Sequence, residues 1–98
     1  MKKLTSKKII EMIKKQKEKL KEKGVKKIGV FGSYAKNKQK QGSDVDILVE
    51  FESIDFDKYF YILNLLEKMF QKKIDLVIEK NLVPELNYVK EEAKYVEL

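Results

Sequence analysis

The sequence contains no cysteine and no histidine, and it has one proline among 98 residues. Without cysteine, neither disulfides nor thiolate metal sites can form. Without histidine, serine–histidine–aspartate triads and imidazole-bound zinc are excluded as well. Any metal ion must therefore be held by oxygen ligands, which favours magnesium, manganese or calcium.

Long apolar runs are also missing, since the longest are far shorter than the ~20 residues that a membrane-spanning helix needs. The N-terminal segment is basic but interrupted by charge, unlike a signal peptide. We therefore expect a cytoplasmic protein with no membrane partner. The length and the strong local periodicity predict one ordered domain over residues 1–98.

Positive charge is abundant: the formal net charge is +6, and all 22 basic residues are lysine. Such a balance attracts nucleic acid, nucleotides or an acidic protein. The lysine-rich segment KKIIEMIKKQKEKLKEKGVKK is interrupted by Glu11, Glu18 and Glu22 and contains no aromatic residue. It lacks both a clean basic stripe and a stacking surface, so we interpret it as a solvated helix face and nucleic acid as an unlikely partner.

Hydrophobic periodicity predicts three helices and three strands around one small core. The first helix has an apolar stripe, begins at Thr5 or Ser6 and ends at Gly24. A short β-branched strand, VKKIGVF, follows it. The next segment, residues 32–43, is a polar loop with room for one helical turn.

The second half of the chain continues with the strand DVDILVEF, a helix begun by Asp55 or Asp57, the strand KIDLVIE and a last helix that starts at Pro84. In the middle helix we expect four apolar side chains to point inward: Phe60, Leu63, Leu66 and Phe70. The order of elements predicts an α+β (α/β) fold. Helices would pack on one face of a small mixed β-sheet and leave the other face open for chemistry.

Aspartates on two strands are the candidate metal ligands. Asp44 and Asp46 lie two residues apart in a strand, so their side chains point the same way. Two ionised carboxylates that close raise each other's pKa unless a cation such as magnesium neutralises them. Asp75 is the third candidate because an unpaired charge in an otherwise apolar strand is costly. It would complete a metal cluster if its strand lay beside the strand of Asp44 and Asp46.

A Gly–Ser pair follows the first strand directly. A glycine at position 32 allows close approach of the backbone, and the amides and hydroxyl beyond it can hold phosphate oxygens. Alone, Gly32–Ser33 is compatible with an ordinary turn. Followed eleven residues later by Asp-Val-Asp, the pair becomes a specific pattern.

This pattern, GSYAKNKQKQGSDVDILVEF, resembles the nucleotidyltransferase signature of the DNA polymerase β superfamily: Gly-Ser, a spacer, then Asp-x-Asp on a strand. The short length and the position of Asp75 in KIDLVIE are most similar to the minimal members, the nucleotidyltransferase antitoxins paired with HEPN-domain toxins. The resemblance implies a fold like the polymerase β palm. It covers nearly the whole chain and is strongest from Gly32 to Phe51.

The resemblance also implies roles for individual residues. Gly32 and Ser33 would hold the nucleotide triphosphate, and Asp44 and Asp46 would ligate two magnesium ions. Asp75 would ligate the metal beside the attacking hydroxyl and help to remove its proton. All three aspartates would thus be both catalytic and metal-binding.

Further phosphate contacts are expected in the loop between the two motifs. Ser43 would add a phosphate or capping contact, with an ordinary turn serine as the alternative. The minimal members commonly carry arginine and glycine where this chain has Lys36 and Asn37. Lys36 keeps the charge without the two-pronged geometry of arginine, and Asn37 tolerates a left-handed backbone.

For the reaction, the resemblance implies a magnesium-dependent adenylyltransferase. It would transfer AMP from ATP to a protein hydroxyl, a tyrosine of a HEPN ribonuclease toxin, and so act as the antitoxin. One alternative is a small-molecule nucleotidyltransferase, which would usually need further helices to shape the acceptor pocket. The other is a non-catalytic antitoxin or nucleic-acid-binding module.

Overall fold

The computed structural model describes residues 3–98. Its strands are β1 Val25–Phe31, β2 Val45–Phe51, β3 Ile74–Ile78 and β4 Lys94–Val96. They form one mixed sheet in the order β3-β2-β1-β4, in which β1 is antiparallel to β2 and β4, and β2 is parallel to β3. The predicted mixed sheet with packed helices is confirmed.

In the described part of the chain, five helices accompany the sheet: α1 Ser6–Lys15, α2 Lys17–Glu22, α3 Gly32–Ala35, α4 Phe56–Phe70 and α5 Tyr88–Glu92. Two short 3-10 turns, Glu79–Asn81 and Pro84–Leu86, lie between β3 and α5. Within residues 3–98, none of the helices is both long and apolar enough to cross a membrane.

The N-terminal helix that the sequence predicts as one unit is divided at Gln16, whose backbone leaves the helical region (φ −102°, ψ 13°). Thr5 caps α1, since its Oγ1 accepts a hydrogen bond from the Lys8 amide (3.2 Å). Gly24 ends the pair in the left-handed region (φ +79°), as predicted. The buried stripe faces the sheet and consists of Ile9, Ile13 and Leu20.

The long helix α4 begins at its cap Asp55, whose Oδ1 accepts a hydrogen bond from the Lys58 amide (2.8 Å). It buries Ile62, Leu66 and Phe70, which lie four residues apart on one face. The prediction that Phe60 points inward is wrong, because that side chain lies off this stripe and is 52 % exposed.

The C-terminal segment differs most from expectation. Pro84 begins a 3-10 turn rather than a long helix, and after the short α5 the chain extends into β4, a strand that the sequence pattern missed. Gly29 makes room for this strand: a Cβ atom there would lie 2.9 Å from the Lys94 carbonyl oxygen and from Tyr95 Cδ1. Any larger residue at position 29 would therefore push β4 away from β1.

The helices cover one face of the sheet, as predicted, while the opposite face is partly covered rather than open. On that opposite face Leu48 is fully buried. The carboxylate of Glu79, also buried, accepts hydrogen bonds from the Tyr95 hydroxyl (2.8 Å) and from Lys27 Nζ (3.4 Å). The same face is accessible where β1 ends and β2 and β3 begin, because Asp75 is exposed and Asp46 is partly exposed.

Candidate active site

Two of the predicted carboxylates face each other across neighbouring strands. Asp46 in β2 and Asp75 in β3 are register partners, so their side chains project on the same side of the sheet from strands about 4.8 Å apart. The Val45 amide donates to the Lys73 carbonyl oxygen (3.0 Å) and fixes the start of β3 against the start of β2. The structure therefore brings Asp46 and Asp75 together at one end of the sheet.

The pKa of Asp46 is raised above its ordinary value, first by burial and then by the negative charges of Asp75 and Asp44. Within residues 3–98, no ion pair reaches any of these three carboxylates, although the protein carries 22 lysines. The cluster therefore has negative charge that the described part of the protein does not neutralise. Hard oxygen ligands with excess negative charge suit a divalent cation such as magnesium.

Asp44 stands apart from the facing pair. The sequence predicts Asp44 in the same strand as Asp46, but this is wrong, because β2 begins at Val45 and the exposed Asp44 precedes it. Across residues 3–98, no three acidic side chains are close enough to hold a metal ion together as they stand. The charge of Asp44 nevertheless contributes to the raised pKa of Asp46.

Gly32 lies directly against the carboxylate of Asp46. Its backbone is left-handed (φ +70°), and a Cβ atom there would overlap Asp46 Oδ2 and lie 3.0 Å from Asp46 Cγ. Only glycine satisfies both the conformation and the space. The turn that starts α3 thus places backbone next to the acidic site, and the buried Tyr34 and Ala35 anchor it in the protein.

The remaining loop residues take local roles. The Ser33 carbonyl oxygen accepts a hydrogen bond from the Lys38 amide (2.8 Å), which closes the loop after α3. Asn37 adopts the left-handed conformation (φ +58°) that its side chain tolerates. Lys36, for which the sequence predicts a phosphate contact, forms an ion pair in the structure: its Nζ lies 3.2 Å from Glu92 Oε2 in α5.

Ser43 stabilises a turn just before β2. Its Oγ accepts a hydrogen bond from the Lys40 amide (2.8 Å), and its own amide donates to the Lys40 carbonyl oxygen (2.9 Å). These contacts correspond to the turn serine that the sequence left as an alternative to a phosphate contact.

Sequence reasoning missed two residues beside the site. The Tyr59 hydroxyl donates to the Leu76 carbonyl oxygen (2.7 Å), and its pKa is raised first by burial and then by the charge of Asp75. Glu92 is the ion-pair partner of Lys36. No local signal distinguishes either residue, because both reach the site only through the folding of distant segments.

Facing carboxylates at the starts of two strands, beside a glycine turn, are suited to bind a metal ion and a phosphorylated substrate. Together with the mixed sheet, this site defines the class of nucleotide-transferring enzymes. The chain belongs to the nucleotidyltransferase domain family, which it matches over residues 13–96.

Comparisons with individual proteins agree with this class. The protein adenylyltransferase MntA of Thermococcus cleftensis is 41 % identical over 81 residues, which cover 81 % of this chain and 82 % of that protein. A solved structure described as a candidate minimal nucleotidyltransferase superposes with a TM-score of 0.71 at 28 % identity and covers 87 % of this chain and 93 % of its own.

The fold, and the fold alone, is also similar to that of a chain in a third solved structure. That structure is the complex of the tri-AMPylated HEPN toxin of Shewanella oneidensis with its MNT antitoxin. The TM-score is 0.60 at 21 % identity, and the match covers 88 % of this chain and 70 % of that chain.

Proposed function

We propose that this chain is a magnesium-dependent adenylyltransferase that transfers AMP from ATP to a hydroxyl group of a partner protein. The acceptor in this proposal is a tyrosine of a HEPN-domain ribonuclease toxin, so that the chain acts as its antitoxin. Residues 1–98 would form a single minimal nucleotidyltransferase domain, working in the cytoplasm. The observation that carries the proposal is the facing pair Asp46 and Asp75, with the Gly32 backbone against Asp46.

Family membership supports the nucleotide substrate and the transfer reaction. The relative from Thermococcus cleftensis is named a protein adenylyltransferase, which supports a protein acceptor. The Shewanella oneidensis complex contains an AMPylated HEPN toxin, which supports a toxin as that acceptor.

The triphosphate of ATP would lie along the Gly32–Ser33 turn, where backbone amides can face phosphate oxygens. Lys36 would exchange Glu92 for a phosphate group. This exchange is easy because the two side chains of the pair are 45 % and 37 % exposed, and exposed ion pairs contribute little stability. Ser43 would approach the phosphates only if it gave up its turn contacts to Lys40.

Asp44, Asp46 and Asp75 would hold two magnesium ions, and their oxygen-only donor set and unneutralised charge fit that metal. When bound, magnesium stabilises negative charge on the attacking and leaving oxygens of the transfer.

The protein's own residues would divide the remaining work. Asp75, exposed at the edge of the sheet, would accept the proton of the attacking hydroxyl. The hydroxyl oxygen would then bond to the α-phosphorus while the bond to pyrophosphate breaks. Gly32 and Ser33 would keep the triphosphate oriented for this step, which is where positioning contributes most to the rate.

The test uses ATP labelled in its α-phosphate, magnesium and a purified HEPN-domain toxin. Wild-type protein should label the toxin, and Asp44→Asn/Asp46→Asn should reduce labelling to background because two metal ligands are lost. The matched control Glu18→Gln/Glu22→Gln removes two exposed carboxylates of α2 and should label as wild type does. Label placed in the γ-phosphate should not reach the toxin.

Undiminished labelling by the folded Asp44→Asn/Asp46→Asn variant would rule the mechanism out. Labelling of an aminoglycoside, with no labelling of protein, would favour the small-molecule alternative. Salt-dependent binding of nucleic acid without any transfer would favour the non-catalytic alternative.

A further inference from the structure

An exposed apolar surface lies where α4 begins, against the edge strand β3. We call it the α4–β3 patch and define it by Ile54, Phe56 and Phe60, which are 47 %, 81 % and 52 % exposed. It surrounds a cavity of about 490 Å³, large enough for several apolar side chains. The cavity is lined by Ile54, Asp55, Phe56, Tyr59, Phe60, Leu76, Ile78 and Asn81. Contiguous exposed apolar surface of this kind marks binding sites more often than scattered single residues do.

The aromatic side chains of the patch hold one another in place. The rings of Phe56 and Phe60 stack at 6.4 Å with an interplanar angle of 19°, and Phe60 meets Tyr59 edge-on at 5.5 Å. Tyr59 is in turn tied to β3 by its hydrogen bond to the Leu76 carbonyl oxygen. A surface that is already ordered loses little conformational entropy when a partner binds to it.

The patch adjoins the acidic site. Leu76, which lines the cavity, directly follows Asp75, so the two side chains point to opposite faces of β3; because β3 is the edge strand of the sheet, the patch and the acidic site lie on either side of that edge. The charge of Asp75 also contributes to the raised pKa of Tyr59, in keeping with their proximity. A protein that brings a hydroxyl to the exposed Asp75 from this edge would meet the patch.

The border of the patch is acidic, in contrast to the protein as a whole. Residues 52–57, ESIDFD, contain three carboxylates and no lysine, whereas the chain has 22 lysines and a net charge of +6. The nearest lysine, Lys58, is turned toward this loop, with its Nζ 3.2 Å from the Ser53 carbonyl oxygen and 3.9 Å from Asp55 Oδ2. A partner complementary to this surface would carry apolar side chains flanked by basic ones.

We propose that the α4–β3 patch is the docking surface for the acceptor protein of the transfer reaction. The acceptor places apolar side chains in the cavity beside Phe56 and Phe60 and basic side chains opposite the acidic border, so that its hydroxyl reaches Asp75. This inference rests on the proposed function for the identity of the partner and extends it by assigning the surface that selects the partner.

The experiment measures the affinity of a HEPN-domain toxin from the same genome for the full chain without ATP, by titration calorimetry. Phe56→Ala/Phe60→Ala should raise the Kd at least about tenfold, because exposed aromatics in such a surface are typical binding hot spots. Tyr61→Ala is the matched control: it removes an exposed aromatic side chain of the same helix that does not line the cavity, and it should leave the Kd unchanged. Asp57→Lys should weaken binding and reduce its dependence on salt.

Steady-state transfer separates docking from catalysis. In Phe56→Ala/Phe60→Ala, the KM for the toxin should rise by about the same factor as the Kd, while the KM for ATP and the circular dichroism spectrum stay as in wild type. A rise in the KM for ATP instead, or a loss of helical signal, would show that the patch supports the fold or the nucleotide site and would overturn the proposal.

Other outcomes also decide the question. A wild-type Kd in Phe56→Ala/Phe60→Ala, or no binding of the toxin by wild type, overturns the docking proposal. The wild-type chain could instead self-associate, with the double variant losing this self-association but keeping its affinity for the toxin. That result would assign the patch to a second copy of the chain and would also overturn the docking proposal. Patch-dependent binding without AMP transfer by wild type upholds the docking surface and contradicts the proposed function alone.

Discussion

Asp46 occupies a position where its ionised form is unfavourable, because it is partly buried and faces Asp75. A protein without a function for this residue would gain stability by replacing it. Functional sites commonly retain such residues at a cost in stability. At the scale of single residues, Asp46 therefore gives the strongest support for the proposal that this end of the sheet is a binding site.

Asp46→Asn should raise the melting temperature of the metal-free protein by a few degrees at pH 7, because it removes a charge that burial and Asp75 disfavour. The folded-state pKa of Asp46 lies above the reference value of 3.8, so the folded state binds a proton more readily than the unfolded state. Wild-type stability therefore falls as the pH rises through that raised pKa. Lowering the pH from 7 through the raised pKa should narrow the difference between variant and wild type.

Thermal unfolding followed by circular dichroism in the presence of a chelator measures this difference. Asp57→Asn, which removes an exposed carboxylate at the start of α4, should give no such gain. Added magnesium should stabilise wild type more than Asp46→Asn, since ligands stabilise the state that binds them. A lower melting temperature for metal-free Asp46→Asn would contradict this assignment.

At the scale of elements, alternation along DVDILVEF was enough to place Asp46 on the face of β2 opposite Val45 and Ile47, and the Gly–Ser pair was enough to place a turn after β1. It was not enough for Asp44, which precedes β2 because the strand begins at Val45. The sequence predicted that Asp46 and Asp75 face each other only if β2 and β3 are neighbours. Whether they are neighbours depends on how α4, the helix that connects the two strands, packs on the sheet. Local patterns carry no information on which strands become neighbours.

Two elements could not be predicted for specific physical reasons. The strand β4 is three residues long and exists through its pairing with β1 next to Gly29. In α4, apolar residues occupy more than one face, so the stripe through Phe60 and the stripe through Ile62 fit a helical period similarly well. Only packing against the sheet selects the buried stripe, and the unselected Phe60 becomes part of the α4–β3 patch.

Contact between the short helix α3 and β2 gives a prediction at this scale. Gly32→Ala should reduce the free energy of unfolding by about 1–3 kcal/mol, because alanine is strained in the left-handed region and its Cβ would overlap Asp46. It should also reduce AMP transfer strongly, since it displaces a carboxylate of the site. Denaturant unfolding and the labelling assay measure the two effects.

Gly42→Ala is the matched control, because a Cβ atom at position 42 would have no neighbour within 4 Å. This variant should unfold and transfer AMP as wild type does. Equal stability and activity of Gly32→Ala and Gly42→Ala would show that the close approach of the Gly32 turn to Asp46 has no role.

At the scale of the whole molecule, charge is distributed unevenly. The chain carries a net charge of +6, yet Asp46, Asp75 and the acidic border of the α4–β3 patch lie at the exposed end of the sheet and around the start of α4. In the proposed function, the basic surroundings would attract ATP, and the local carboxylates would need a divalent cation before a triphosphate could bind beside them. The proposal thus assigns the attraction of ATP to the lysines and the reaction to the aspartates.

The central claim is that this acidic end transfers AMP to a protein partner, and intact-mass spectrometry of a HEPN-domain toxin tests it most directly. After incubation with ATP, magnesium and wild-type protein, the mass of the toxin should increase by one or more AMP groups. With Asp75→Asn, shown to be folded and to bind the toxin, the mass should stay unchanged. A toxin left unmodified by wild type, or fully modified by Asp75→Asn, would contradict the account.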